Sequence, residues 1–388
     1  MRPHLLDAFV VAAPGLAPLA AAELRALGVR IGAVDAAGVS LRTNLAGVAH
    51  ANLWLRTASR VLVRLDTFRA EHFRELEGFA RKVRWASVLG DRKTVRLRVT
   101  CRKSKLIHSG AVAQRVGDAI TRATGATVVA GAPDPDDDGT DDEAQLFVVR
   151  FERDVCTVSA DSSGALLHRR GYRQAVGKAP LRETLAAALL LAAEWKGDTP
   201  LVDPLCGSGT IAIEGAMIAR RMAPGLMRTF AVENWPGFDH ARWKSSIDEA
   251  QAAMLASSPV PIVAGDRDAG AIEAAIANAT RAGVASDITF AKQALSAMRA
   301  PAGGLGLIAT NPPYGKRVGE KDPLRSLYAQ LGATAREHFS GWTIAVLSAD
   351  RRLEGQVQLA FAERVRTANG GLPVRMIVAP VPDGEGSR

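Results

Sequence analysis

Leu201-Val202-Asp203-Pro204-Leu205-Cys206-Gly207-Ser208-Gly209-Thr210 leads without a break into Ile211-Ala212-Ile213-Glu214-Gly215-Ala216, and this stretch narrows the fold more than any other. It reads as a short buried strand, an acidic strand end, a glycine turn and a helix start. Glycines let the backbone pass close to a ligand, and a helix N-terminus offers free N–H groups to a carboxylate or phosphate. Gly207-Ser208-Gly209-Thr210-Ile211-Ala212 also satisfies the dinucleotide fingerprint G-x-G-x-x-G/A. That match alone is weak evidence for any one cofactor. From about residue 175 to 382, strand patterns near 201, 262, 288, 306 and 343 alternate with helices, and a terminal pair follows near 359 and 375. The predicted class is therefore α/β, with a Rossmann-like sheet in the carboxy-terminal part.

A second feature lies on a later strand of that alternation. Leu305-Gly306-Leu307-Ile308-Ala309-Thr310 is apolar and runs into Asn311-Pro312-Pro313-Tyr314. The prolines restrict the turn, so the Asn311 side-chain oxygen and the Pro312 carbonyl can be held as two rigid acceptors. Two acceptors beside an aromatic ring suit an exocyclic amine on a flat base, with Tyr314 stacking on that base. An ordinary strand-ending turn is the plain alternative, because Asn-Pro is a common turn dipeptide. Asp266 closes the run Pro261-Ile262-Val263-Ala264-Gly265, where a carboxylate could hold ribose hydroxyls. Its plain alternative is a helix N-cap ahead of Ala269 to Ala279.

Glycine turn, acidic strand end and NPPY, in that order, resemble the class I S-adenosylmethionine-dependent amino-methyltransferases. Pro180-Leu181-Arg182-Glu183-Thr184-Leu185-Ala186 looks like that family's cofactor-facing segment. Ala223-Pro224-Gly225-Leu226, Arg228-Thr229-Phe230 and Asn234-Trp235-Pro236 look like an insertion of the RlmL/YpsC type of RNA methyltransferase. Leu167-His168-Arg169-Arg170-Gly171-Tyr172-Arg173 is similar to the join between the THUMP RNA-binding domain and the catalytic domain of that type. The likeness is strong from about 160 to 320 and looser before. RlmL itself has a second methyltransferase domain; this chain is expected to match the YpsC-like members, which have one.

The resemblance implies S-adenosyl-L-methionine as cofactor, held by Thr184, Asp203, Pro204, Gly207, Ser208, Gly209, Asp266, Gln293 and Asn311. Gln293 stands where many relatives have an Asp near the adenine. Asn311, Pro312 and Tyr314 are the implied catalytic residues. An amine lone pair delocalised into a ring is a poor nucleophile, and hydrogen bonds to Asn311 and Pro312 would pyramidalise it in the transition state.

Charge is unevenly distributed. The chain carries a formal net charge of +9, and residues 1 to 130 hold 21 Lys/Arg against 9 Asp/Glu. Thr94-Val95-Arg96-Leu97-Arg98-Val99-Thr100 alternates, so Arg96 and Arg98 share one strand face. Such a face can track phosphates. Expected RNA contacts are Arg96, Arg98, Lys103, Lys105, Arg170, Arg173, Lys316 and Arg317. A solvated basic face is the plain alternative for any one of them. Cys101, Cys156 and Cys206 have no metal-like spacing and are odd in number, so a reducing compartment and no metal are expected. The amino terminus does not read as a signal peptide, and no apolar run reaches membrane-spanning length. A cytoplasmic monomer with no membrane association is expected.

Three parts follow: a ferredoxin-like α+β unit at 1–65 with an amphipathic helix from Ala17 to Leu27, a THUMP RNA-binding domain at 66–165, and a class I methyltransferase domain at 175–382. An acidic Pro/Gly-rich stretch, 131–143, reads as a loop. The expected activity is guanine-N2 methylation of large-subunit rRNA. A tRNA guanine-N2 enzyme and an adenine-N6 nucleic-acid methyltransferase are alternatives, since NPPY does not separate the two amines. A nicotinamide-dependent oxidoreductase would explain the glycine turn but neither NPPY nor the basic amino-terminal part. A non-catalytic RNA-binding protein would not need Gly207, Gly209 and Asn311 together.

Overall fold

A computed structural model describes residues 5–129, 144–173, 181–314 and 321–383. The chain divides into two compact units, one of Met1–Ala12, Ala20–Leu167 and Arg228–Asp248, the other of Ala13–Leu19, His168–Met227 and Glu249–Arg388.

The first unit begins with β1 (Leu6–Ala12), most of α1 (Ala17–Ala26), β2 (Ile31–Asp35), β3 (Gly38–Thr43), α2 (Leu45–Trp54) and β4 (Ala58–Arg69). This βαββαβ order, with strands paired β2-β3-β1-β4, is the ferredoxin-like arrangement expected there. It is followed by α3 (Phe73–Ala80), β5 (Thr94–Arg102), α4 (Ser109–Thr124), β6 (Thr127–Val129), β7 (Gln145–Glu152) and β8 (Val155–Asp161). All eight strands form one sheet, β2-β3-β1-β4-β8-β7-β5-β6, in which β4 and β8 pair antiparallel. The expected boundary at 65/66 therefore falls inside β4: residues on both sides share its hydrogen-bond ladder. Val95 and Leu97 of β5 are buried, and Gly117 of α4 lies over Leu97. Arg96 and Arg98 take the opposite face, as the alternation predicted, and both are half-buried.

The second unit contains α5 (Glu183–Ala192), β9 (Leu201–Asp203), α6 (Thr210–Ala219), part of α7 (His240–Ala252), β10 (Ile262–Asp266), α8 (Ala269–Arg281), β11 (Ile288–Lys292), β12 (Leu307–Thr310), α9 (Lys321–His338), β13 (Thr343–Ser348), α10 (Arg351–Val357), β14 (Ala362–Asn369) and β15 (Leu372–Pro380). Its sheet runs β11-β10-β9-β12-β13-β15-β14. The first five strands are parallel, and the terminal pair joins antiparallel. Parallel strands buried on both faces read as continuous apolar runs, which is why β9, β12 and β13 were legible. Beneath the carboxy-terminal strands, Val202, Ile308, Ile344, Val346, Phe339 and Trp342 belong to one core. The interval 228–248 belongs with the first unit, although it lies inside the span expected for the methyltransferase domain.

The chain order leaves β9 through β10 to β11 on one side and enters β12 on the other. Ligands of open α/β sheets bind at such a reversal, outside the carboxyl ends of the strands. Asp203, Asp266 and Asn311 end or follow the three strands that meet there.

Candidate active site

The glycine turn leaves β9 in a conformation few residues other than glycine adopt. Gly207 has φ +50° and Gly209 φ +83°. A Cβ on Gly209 would lie 2.9 Å from the Ala275 Cβ, so α6 and α8 can approach only because that position is bare. At Gly207 a Cβ would meet nothing within 4 Å, leaving open space over the turn. Gly209 is the N-cap of α6, and α6 is almost wholly buried and apolar but for Thr210 and Glu214.

Asp266 holds this turn from the next strand. One carboxylate oxygen accepts from the Gly207 N–H at 3.0 Å, and the other accepts from the Asp268 N–H at 3.0 Å. The helix-cap alternative belongs to its neighbour: Asp268 caps α8, its side chain accepting from the Gly270 N–H. Asp266 is half-buried, and a carboxylate has about four acceptor positions, so capacity remains for ribose hydroxyls. Gln293 follows β11, its N–H donating to the Asp266 carbonyl at 2.9 Å, while its side-chain amide meets the Met298 sulfur. Asp203 is buried at 1% exposure and accepts from the Leu205 N–H at 3.3 Å. Burial pushes its carboxyl up to about 7, against the pull of the Thr310 hydroxyl and that N–H. Pro204 and Thr184 are buried, and Ser208 is half-buried. Cys206 is buried too, which raises its thiol well above the ordinary range, so it packs and does not attack.

Across the reversal, Thr310 is buried and Asn311 is half-buried. The Tyr314 hydroxyl donates to the Asn311 side-chain oxygen. Pro312 is buried and Pro313 exposed, and the buried Tyr328 of α9 donates toward the Pro313 carbonyl at 3.5 Å. Tyr328 supports the turn from below, and its place was not legible: a tyrosine on an amphipathic helix carries no signal of what lies across the core.

Two expected RNA contacts are corrected here. Arg170 is 2% exposed, with its guanidinium 3.5 Å from the Glu214 carboxylate, and Tyr172 donates to the same carboxylate at 3.2 Å. Arg173 donates to the Leu181 carbonyl at 2.6 Å and to the Thr210 hydroxyl at 2.7 Å, and pairs with Glu183 at 3.2 Å. These cations tie the 168–173 segment to the start of α5 and to α6, so they are not phosphate contacts. Glu214, a single carboxylate in an otherwise apolar helix, was the available signal for a buried partner. Lys105 is exposed and pairs with Glu71, and Lys103 is exposed in the turn after β5. Lys316, Arg317 and the acidic stretch 131–143 lie outside the described residues. Among the described residues no group of His, Cys, Asp and Glu could hold a metal, and no helix is long and apolar enough to cross a membrane.

A glycine turn open to a ligand, a strand-end carboxylate beside it and a proline-fixed amide across the reversal fit a nucleoside-bearing cofactor and a flat amine. The model of the RMKL-like methyltransferase domain matches residues 170–377, and that of the RlmL ferredoxin-like domain matches 7–62. The chain is a member of the RMKL-like methyltransferase family. The ribosomal RNA large subunit methyltransferase K/L of Syntrophotalea carbinolica is 38% identical over 95% of this methyltransferase and 53% of its own length. The chain thus spans about half of that relative. The Synechocystis protein slr0064, provisionally named an RNA methyltransferase, is 34% identical over 95% of both chains. The crystal structure of SMU.472, complexed with SAH, superposes with a TM-score of 0.86 at 28% identity, covering 100% of each chain. Membership sets aside the nicotinamide-dependent oxidoreductase and the non-catalytic protein.

Proposed function

We propose that this methyltransferase transfers the methyl group of S-adenosylmethionine to the exocyclic N2 amine of a guanine in large-subunit rRNA. The observation that carries the reading is Asn311 at the end of β12, across the sheet reversal from the Gly207 turn and Asp266. The names of the K/L relatives support the rRNA substrate. When bound, the cofactor supplies an already activated methyl group. Asp266 would hold its ribose, the Gly207–Ser208 turn its amino-acid end, and Gln293 its adenine.

The Asn311 oxygen and Pro312 carbonyl accept from the guanine amine and favour its pyramidal, nucleophilic form. Tyr314 turns from Asn311 to stack on the base, aiming the amine at the methyl group, because alignment is a large source of rate. The amine proton leaves after transfer, so no strong base is required at the start. Residues 66–165, read as a THUMP-like module, would bring the RNA, with Arg96, Arg98 and Lys103 toward phosphates. Lys316 and Arg317 stay expected phosphate contacts on the strength of their positions after NPPY. We place the protein in the cytoplasm, as a monomer. Nucleoside analysis of rRNA and tRNA from a deletion strain tests this reading. Loss of one N2-methylguanosine from large-subunit rRNA is expected; loss from tRNA alone, or loss of N6-methyladenosine, would replace it.

A further inference from the structure

The first unit contains a cavity of 440 Å³ that plays no part in the methyl-transfer site. It lies beside α2 and the helical turn at Trp85–Val88, and the segment 235–246 closes it. Its volume falls in the range of about 300–1,000 Å³ typical of small-molecule sites. Leu45 and Val63 supply apolar wall, and Phe238 and Trp243 meet there as an aromatic corner, 6.1 Å apart at an interplanar angle of 68°. A flat guest can stack on one ring and meet the edge of the other. The Trp243 indole N–H, like those of Trp54 and Trp342, has no hydrogen-bond partner among the described residues, whereas the indoles of Trp85, Trp195 and Trp235 each have one.

The charge around this corner is one-sided. Arg84 and Arg242 line it, both are exposed, and neither guanidinium has a partner among the described residues. Asp239 is the acidic lining residue, and its carboxylate is engaged by the Arg242 N–H at 3.0 Å at the start of α7. A shallower depression of 790 Å³ adjoins the cavity and shares Trp235 and Pro236 with it. Lys93 and His240 line that depression and are exposed, beside the exposed Asp91 and the half-buried Glu233, whose carboxylate accepts from the Phe230 N–H at 2.7 Å.

We propose that the cavity takes one unstacked nucleobase of the RNA substrate, and that the adjoining depression takes the neighbouring phosphate at Lys93 and His240. An aromatic corner, an unpaired indole donor and two unpaired guanidinium groups match a base and its phosphodiester. An apolar peptide would leave the donor and both cations unused. The base held here is not the one methylated, so the site would select substrate by a single-stranded nucleotide apart from the target. This rests on the reading that the substrate is RNA.

The test uses the full chain with a short single-stranded oligoribonucleotide carrying a photoreactive uridine, and with undermethylated large-subunit rRNA. Crosslinks are expected on Phe238 and Trp243. Arg84→Ala with Arg242→Ala, and separately Trp243→Ala, should weaken RNA binding about tenfold or more, with unchanged S-adenosylmethionine affinity reporting an intact fold. Trp243→Phe keeps a ring and should fall between parent and Trp243→Ala. If the parent binds and methylates rRNA but the variants bind it equally well and crosslinks fall elsewhere, the cavity is not a base site and the rRNA reading stands. If the parent binds no RNA, the reading and the site both fall.

Discussion

The Tyr314 hydroxyl donates to the side-chain oxygen of Asn311, so the ring expected to stack on the substrate covers the acceptor expected to receive its amine. Burial raises the Tyr314 phenol well above its ordinary range, so the hydroxyl keeps its proton and acts here as a donor. Substrate entry must exchange this hydrogen bond for one from the base amine. Tyr314→Phe removes the competitor and keeps the ring, and should methylate RNA at the parent rate or faster. Tyr314→Ala removes the stacking surface and should raise the RNA KM by about tenfold or more. Steady-state kinetics of both variants check this, and equal effects from the two would mean that the hydroxyl matters more than the ring.

Asn311→Ala should leave S-adenosylmethionine affinity close to the parent value while kcat falls by about 10²-fold or more. Calorimetry and single-turnover assays separate the two. A parental rate would make NPPY a structural turn.

Asp266→Ala should weaken S-adenosylmethionine binding roughly tenfold or more, since hydrogen bonds to a charged group are worth about 1.5–3 kcal/mol. Two causes act together, because the same carboxylate holds the Gly207 N–H at 3.0 Å. Asp266→Asn keeps an acceptor for that N–H and should lose less, as calorimetry on the pair would reveal.

Glu214→Ala leaves the Arg170 charge buried without its carboxylate, an arrangement that costs about 3–5 kcal/mol. Urea denaturation should show that loss. Replacing Arg170 and Glu214 together by apolar residues should recover much of it, because the buried cation is then gone as well.

The pH dependence of stability has two opposed contributors in the second unit. Burial lifts Asp203 from 3.8 to about 7, so between those values the folded chain holds a proton that the unfolded chain has released. Its contribution is full below about 3.8 and is lost as pH rises through about 7. His168 is driven from 6.5 to about 3, first by burial and then by Arg182 and neighbouring arginines, so its contribution is present above 6.5 and is lost as pH falls toward about 3. Asp203→Asn should therefore gain stability relative to the parent as pH rises from 4 toward about 7, where the parent carboxyl ionises. Urea melts at several pH values give the slope, and a pH-independent difference would show that Asp203 is already ionised in the folded state.

By itself the sequence determined the strand, glycine turn and helix around Gly207, the strand that ends in NPPY, and the strand face shared by Arg96 and Arg98. Those features rest on local causes: the φ open to glycine, the restriction proline puts on its neighbours, and the two-residue period of a strand. It also marked Asp266 as a strand-end carboxylate suited to ribose hydroxyls, although only the fold set it against the Gly207 turn and gave the capping of α8 to Asp268. The tertiary structure decided what depends on distant partners. It ran β4 through the boundary expected at 65/66 and joined 228–248 to the first unit. It buried Arg170 and tied up the half-buried Arg173, which share their charge and local spacing with the exposed cations around them. A positive charge written in a sequence does not say whether a phosphate or a buried carboxylate balances it. Glu214 lies more than forty positions further along the chain from Arg170, and only packing α6 against the 168–173 segment brings the pair together.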